Sequence, residues 1–143
     1  MAQTKTYDPG RVVVTFGPHI VTGYAEGAFV RATRDEDSFT KRVGADGRGT
    51  RVRNRNRGGS VEIVLHQSSP SNDFFAAKVV EDELLGVAVF PLVVKDLNGT
   101  TLVAAAEAWI KKPADVEEGK DLSDRTWILD TTALETFAGG NTV

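Results

Sequence analysis

Side chains capable of acid–base, nucleophilic or metal chemistry form no recognised constellation in this 143-residue sequence. His19 and His66 stand apart, with no carboxylate or second histidine at ligand spacing. Each reads as a strand or turn residue rather than a metal ligand. Glu81, Asp82 and Glu83 are consecutive, which on a helix fans them around the axis into a solvated face. Gly44-Ala45-Asp46-Gly47-Arg48-Gly49 is glycine-rich but lacks the strand-to-helix setting and the Lys-Ser/Thr of a phosphate loop, so it reads as a turn. Ser68-Ser69-Pro70-Ser71 offers hydroxyls without a histidine or lysine in a recognised arrangement, and helix capping accounts for them. The absence of cysteine removes disulfides, thiolate metal sites and cysteine nucleophiles. The expectation is a protein that is not an enzyme and carries no metal or cofactor.

One pattern is different. Arg51, Arg53, Arg55 and Arg57 occupy alternate positions, with Val52, Asn54 and Asn56 between them. On an extended strand this spacing projects all four guanidinium groups from one face. A solvated face would leave four like charges to repel one another. A nucleic-acid surface would want aromatic platforms nearby and a basic chain, and neither is present. A face that docks carboxylates of another subunit uses the planar, bidentate fork of arginine best. The wider charge distribution points the same way. Between Arg34 and Arg57 eight basic residues meet four acidic ones, an excess of +4, while the remaining nine basic and sixteen acidic residues carry −7. A basic segment on an acidic chain suits an acidic partner, and a second copy is such a partner.

The elements that carry these residues read mainly as strand and turn. Arg11–Phe16 is β-branched and apolar, Ile20–Tyr24 reads as a short second strand, and Ala28–Arg34 as a third. Asp35–Val43 and Arg48–Arg55 form the arms of a long hairpin, about residues 35–57, turned at Asp46-Gly47. It holds Asp35, Glu36, Asp37, Lys41, Arg42 and Arg48 besides the arginine ladder, and these are the candidate contact residues. Ser60–Gln67 leads through SSPS into a single helix at about 71–85. In that helix Phe74, Ala77, Val80 and Leu84 make an apolar stripe, and Gly86 stops it. Val87–Asp96 is apolar enough for a buried strand if Pro91 sits at an edge or bulge. Asn98-Gly99 turns it into Thr100–Lys111, which the turn favours as strand over helix. An acidic loop at Asp115–Asp124 precedes a last strand at Arg125–Thr131, and the tail from Ala138 is expected to be loose. Strands separated by glycine turns, with one helix, predict a single antiparallel β-sandwich or rolled barrel over residues 1–143. No apolar run approaches the ~18 residues of a membrane span. The opening MAQTKTYDPG lacks the apolar core of a secretion signal, so assembly in cytosol is expected.

Five blocks together carry a resemblance: RDEDSFTKRVGADG (34–47), LHQSSPSND (65–73), VVKDLNGTTL (93–102), AWIKKP (108–113) and RTWILDT (125–131). In this order and spacing, over about Thr6 to Gly140, the chain resembles the tail tube proteins of contractile-tailed bacteriophages. Their fold is shared with the tubes of type VI secretion and contractile bacteriocins. The resemblance implies a β-sandwich or rolled barrel with a flanking helix. It also implies six subunits per ring and rings stacked into a tube inside a sheath, through which DNA passes without specific binding. Tail sheath, baseplate or tube initiator, and tail terminator proteins are the implied partners, and the virion tail the implied location. A secretion or bacteriocin tube, and a small DNA-binding β domain, are the alternatives. Tubes of this kind often have an acidic bore, and Glu62, Glu107 and Asp130, acids within expected strands, are the candidates for it. The arginine ladder then belongs at a subunit interface.

Overall fold

Alternation of apolar and polar residues decides which side of each strand is buried. In the computed structural model, which describes residues 4–143, that alternation builds one rolled sheet. After a 3-10 turn at Pro9–Arg11 come β1 (Val12–Phe16), β2 (His19–Ile20), β3 (Val30–Arg34), β4 (Phe39–Val43), β5 (Gly49–Arg53) and β6 (Gly59–His66). Helix α1 (Ser71–Leu85) follows, then β7 (Phe90–Asp96), β8 (Leu102–Ile110), β9 (Asp124–Thr131) and β10 (Glu135–Phe137). Eight strands belong to one antiparallel sheet, ordered β2-β1-β7-β8-β9-β6-β3, with β10 beside β9 on the same flank of β8. β4 and β5 form a separate two-stranded hairpin. The mainly β architecture with one flanking helix is as expected.

The sheet rolls because its ends share a core. Val14 and Phe16 of β1 lie in the same buried cluster as Val61, Ile63 and Leu65 of β6, although three strands separate β1 from β6. Helix α1 closes this cluster with Phe75 and Val79. The Phe75 ring lies 6.0 Å from Phe16 and 5.4 Å from Trp127, so one side chain bridges β1 and β9. Pro91 falls inside the sheet, where the register slips: Leu92 pairs with Ala105 but Phe90 with Ala108. The extra residue on β8 is a bulge that leaves Ala106 and Glu107 both exposed, and it tolerates the missing proline donor.

Several expected boundaries move. The second strand is only His19–Ile20, with Tyr24 reaching Leu65 by an isolated bridge. β9 is not the last strand, because β10 continues along β8 after an interruption at residues 132–134. The tail is tied down rather than loose. Thr142 and Val143 donate backbone N–H groups to Asn98 O at 2.9 and 3.3 Å, and Thr100 N donates to Gly140 O. A Cβ on Gly99 would collide with the Gly140 carbonyl, so the Asn-Gly pair serves this close approach as well as the turn. Helix α1 starts and stops where expected, with Gly86 in the left-handed region (φ 67°) donating to Asp82 O. Its cap differs. Pro70 occupies the N-cap, and the Ser69 hydroxyl accepts from Ser71 N at 3.2 Å. The buried face is Ser71, Phe75 and Val79, one residue away from the expected stripe, and of that stripe only Phe74 packs on the core.

Candidate assembly surface

The basic hairpin projects from the rolled sheet with both faces open. All ten residues of β4 and β5 are exposed. Its tip is held by Asp46, whose carboxylate accepts from Arg48 N at 3.1 Å, and Gly47 supplies the positive φ. The Arg48–Asp46 ion pair there is fully in water at 3.5 Å and holds little. On one face the Arg51 guanidinium lies 4.1 Å over the Phe39 ring, with Arg53 at 5.6 Å, a cation–π stack that shields the ring. Lys41 pairs across from Arg51 on that face, while Arg42, paired with Thr50, and Val52, paired with Thr40, lie on the other.

The arginine ladder does not continue as one stripe. β5 ends at Arg53 because Asn54 and Asn56 turn the chain: Asn54 Oδ1 accepts from Asn56 N, and Asn56 Oδ1 accepts from Gly58 N. Arg55 and Arg57 are exposed on this turning segment, and Arg57 O accepts from Leu134 N. Only Arg51 and Arg53 share a strand face. Glu36 is a clamp at the hairpin base, accepting from Asn54 Nδ2 (3.1 Å) and Asn56 Nδ2 (2.8 Å). Those two bonds favour its charged form and hold its pKa below the usual carboxylate value. Asp35 N donates to Gly58 O, closing the base, and Asp37 is exposed beside it.

Glu62, Glu107 and Asp130 all point away from the core. Glu62 is half-buried in β6 opposite Arg31 and Ile128, Asp130 is half-buried in β9 opposite Ser60 and Trp109, and Glu107 is exposed at the β8 bulge. The outer face of the neighbouring flank is mixed: Val93, Leu102, Ala104 and Phe137 are apolar, and the exposed Lys95 and Glu135 lie opposite Leu102 and Ala104.

Sequence reasoning missed a long-range pair. The His19 ring and Ser71 Oγ share a hydrogen bond of 2.7 Å, Thr22 N donates to the same oxygen, and His19 stacks on Phe74 at 4.4 Å. Fifty-two residues separate the partners, so no local spacing could signal them. Ser71 is completely buried, and the pair fastens β2 to the helix start rather than presenting a nucleophile. His66 meets Asp124 at 3.5 Å across the β6–β9 ladder. A cleft of about 380 Å³ between β3 and the inner faces of β1, β7 and β8 has Val12, Val30, Ala32, Val94 and Val103 in its lining, with Asp96, Thr101 and Thr136 among its polar residues. Among the described residues no three His, Cys, Asp or Glu side chains gather to hold a metal, and no helix is long and apolar enough to cross a membrane.

No family model matches the chain. It is 31% identical to "Structural protein ORF10" of Pseudomonas phage KPP10 over 147 residues, covering 97% of this chain and 85% of that protein. Three solved structures share the fold at low identity. The tube-terminating cap of the anti-feeding prophage has a TM-score of 0.61 at 9% identity, covering 97% of this chain and 95% of its own. The sheath/tube terminator of the extracellular contractile injection system PVC, in its extended state, gives 0.63 at 10% identity, with 96% and 100% covered. A chain of the extended PVC sheath–tube complex gives 0.62 at 9% identity, with 94% and 93% covered.

Proposed function

The chain belongs to the family of phage structural proteins that includes structural protein ORF10 of Pseudomonas phage KPP10, and we propose that it is a tail tube subunit. In this reading six copies close into a ring, and rings stack into a hollow conduit for DNA ejection. One observation carries it: a basic two-stranded hairpin stands off the rolled sheet with both faces in water. A lone hairpin is marginally stable in water, so it is built to be covered by a neighbour. The role is architectural rather than catalytic. Its partners are further copies, a surrounding sheath, a baseplate or tube initiator at one end and a terminator at the other. DNA passes without specific binding, no membrane is involved, and the subunit assembles in the host cytoplasm into the virion tail.

A second reading is favoured by two of the fold neighbours, which are terminators whose TM-scores match that of the sheath–tube chain. A terminator forms one ring that stops growth rather than a tube that continues it. The phage relative favours a genome conduit over a secretion or bacteriocin tube.

Electron microscopy and light scattering of purified protein at rising concentration test both readings. Stacked tubes support the subunit; single rings that never stack support the terminator. Protein that stays strictly monomeric across moderate salt overturns both. In a tube, each exposed ion pair contributes only about 0.2–1 kcal/mol, but repeated around a ring such contacts sum to a salt-sensitive stacking energy. Reversing Arg51, Arg53 and Arg55 to Glu is expected to leave thermal unfolding nearly unchanged while stopping tube growth. Polymerisation like that of wild type would remove the hairpin from stacking.

A further inference from the structure

Helix α1 is apolar on two sides. Its inner face, Phe75 and Val79, is buried in the core. Its outer face repeats Ala77, Val80 and Leu84 at helical spacing, with Val80 56% and Leu84 77% exposed, and exposed Leu85 ends the helix with exposed Val87 just past it. A helix apolar on both sides is ordinarily covered on both, and a contiguous exposed patch marks an interaction surface. Acids border this one: Asp73, Glu81 and Glu83. The one basic residue of the helix, Lys78, is engaged with Glu81 at 3.0 Å. The stripe therefore asks for an occupant that is elongated, basic and partly apolar.

The same chain carries such a surface. Between Phe39 and Arg53 the hairpin holds five basic residues against the single acid Asp46. Arg51 covers Phe39 on one face. On the other, Thr40, Arg42, Thr50 and Val52 make no side-chain hydrogen bond or ion pair among the described residues, and all are exposed. The lengths agree: a five-residue strand spans roughly 17 Å, and the helix from Asp73 to Leu84 rises about 17 Å. Both surfaces are open in one chain, so neither covers the other.

Resting on the self-assembly reading above, we infer that the β4–β5 hairpin of one copy seats its Arg42–Val52 face along the Ala77–Val80–Leu84 stripe of a second copy, with Arg42 among the helix acids. Such a contact joins unlike surfaces, and head-to-tail contacts of that kind propagate into rings or open filaments rather than closing as a two-fold dimer.

The cysteine-free chain allows a direct test. Val52→Cys and Leu84→Cys variants are made separately, mixed under assembling conditions and oxidised. A disulfide needs Cα atoms within about 7 Å, so it reports this contact and no distant one. A linked dimer at least ~10-fold more abundant in the mixture than in either variant alone is expected, the threshold corresponding to about 1.4 kcal/mol of preference. If the mixture forms particles like those of wild type without excess dimer, the hairpin seats elsewhere, and self-assembly still stands. If wild type never assembles, the reading beneath the inference fails with it. Should the cysteine variants alone fail to assemble, charge exchange decides. Arg42→Glu is expected to lose assembly and the double variant Arg42→Glu with Glu83→Arg to regain it; a double variant no better than the single overturns the inference.

Discussion

At the scale of single residues, the polar side chains act as fasteners, and two of them make measurable predictions. Asn98 is completely buried, its amide accepting from Asp8 N at 3.0 Å and donating to Asp8 O at 2.9 Å and Asp96 Oδ1 at 2.7 Å. Its carbonyl receives the last residues of the chain. One residue thus joins the β7–β8 turn to the chain near both its ends, to Asp8 through its side chain and to Thr142 and Val143 through its backbone carbonyl. Asn98→Ala leaves the Asp8 backbone groups without partners and is expected to cost about 2–4 kcal/mol in denaturant unfolding. His19 gives a pH signature. Packing against Phe74 desolvates its ring and lowers its pKa from the ordinary 6.5. A histidine whose pKa is lower in the folded state binds fewer protons there than in the unfolded chain. Its contribution is then complete above pH 6.5 and declines as pH falls from 6.5 toward the lowered folded value. His19→Gln keeps a donor for Ser71 Oγ without titrating. The stability difference between wild type and this variant is expected to shift against wild type as pH drops through about 6.5, and a pH-independent difference would show that the ring does not titrate with folding.

At the scale of elements, the helix separates what covers the core from what awaits a neighbour. Phe75→Ala removes a ring wedged between β1 and β9 and is expected to cost about 3–5 kcal/mol. Leu84→Ala, on the exposed stripe, is expected to change monomer stability by less than about 0.5 kcal/mol; thermal unfolding of the two variants distinguishes the faces. The helix limits were legible in the sequence because the Ser-Pro-Ser start and Gly86 are local signals. The buried face was not, because apolar residues on both sides support two stripes and only the tertiary contacts choose between them. β8 was legible for a similar local reason: Asn98-Gly99 outweighed three alanines with weak strand preference. β10 was missed because Glu135–Phe137 is short and exposed, and only its place in register beside β8 makes it a strand. The arginine ladder was half legible. Alternation gave the Arg51 and Arg53 face, but Asn54 and Asn56 bonding to their own backbone ends the strand before Arg55. Nothing local announced that Glu36 would clamp those two asparagines, since the contacts cross 18 and 20 residues.

At the scale of the molecule, charge and polarity divide the surface into regions that suit different neighbours. The hairpin is basic, the outer face of helix α1 is apolar with acidic borders, and the sheet exterior splits into two flanks. Around β7, β8 and β10 the exterior is mixed, with Val93, Leu102, Ala104 and Phe137 beside the exposed Lys95, Glu107 and Glu135. Around β6 and β9 it carries Glu62 and Asp130, which sit half-buried outside the core and have no ion-pair partner among the described residues. A half-buried carboxylate keeps its charge at least cost where one side stays in water, and a water-filled bore would provide that side. Negative charge in such a bore would also repel phosphates, so that a nucleic acid would slide rather than stick. If this flank lines the bore, Glu62→Lys combined with Asp130→Lys leaves assembly intact but turns the lining attractive. Assembled double-variant particles are then expected to retain short duplex DNA on sedimentation, with release as salt is raised, while wild-type particles retain none. The control is Glu107→Lys at the β8 bulge, which reports whether the bulge shares the same lining. Double-variant tubes that hold no more DNA than wild type would place Glu62 and Asp130 away from the bore, on an outer or intersubunit face, without affecting the assembly of the tube itself.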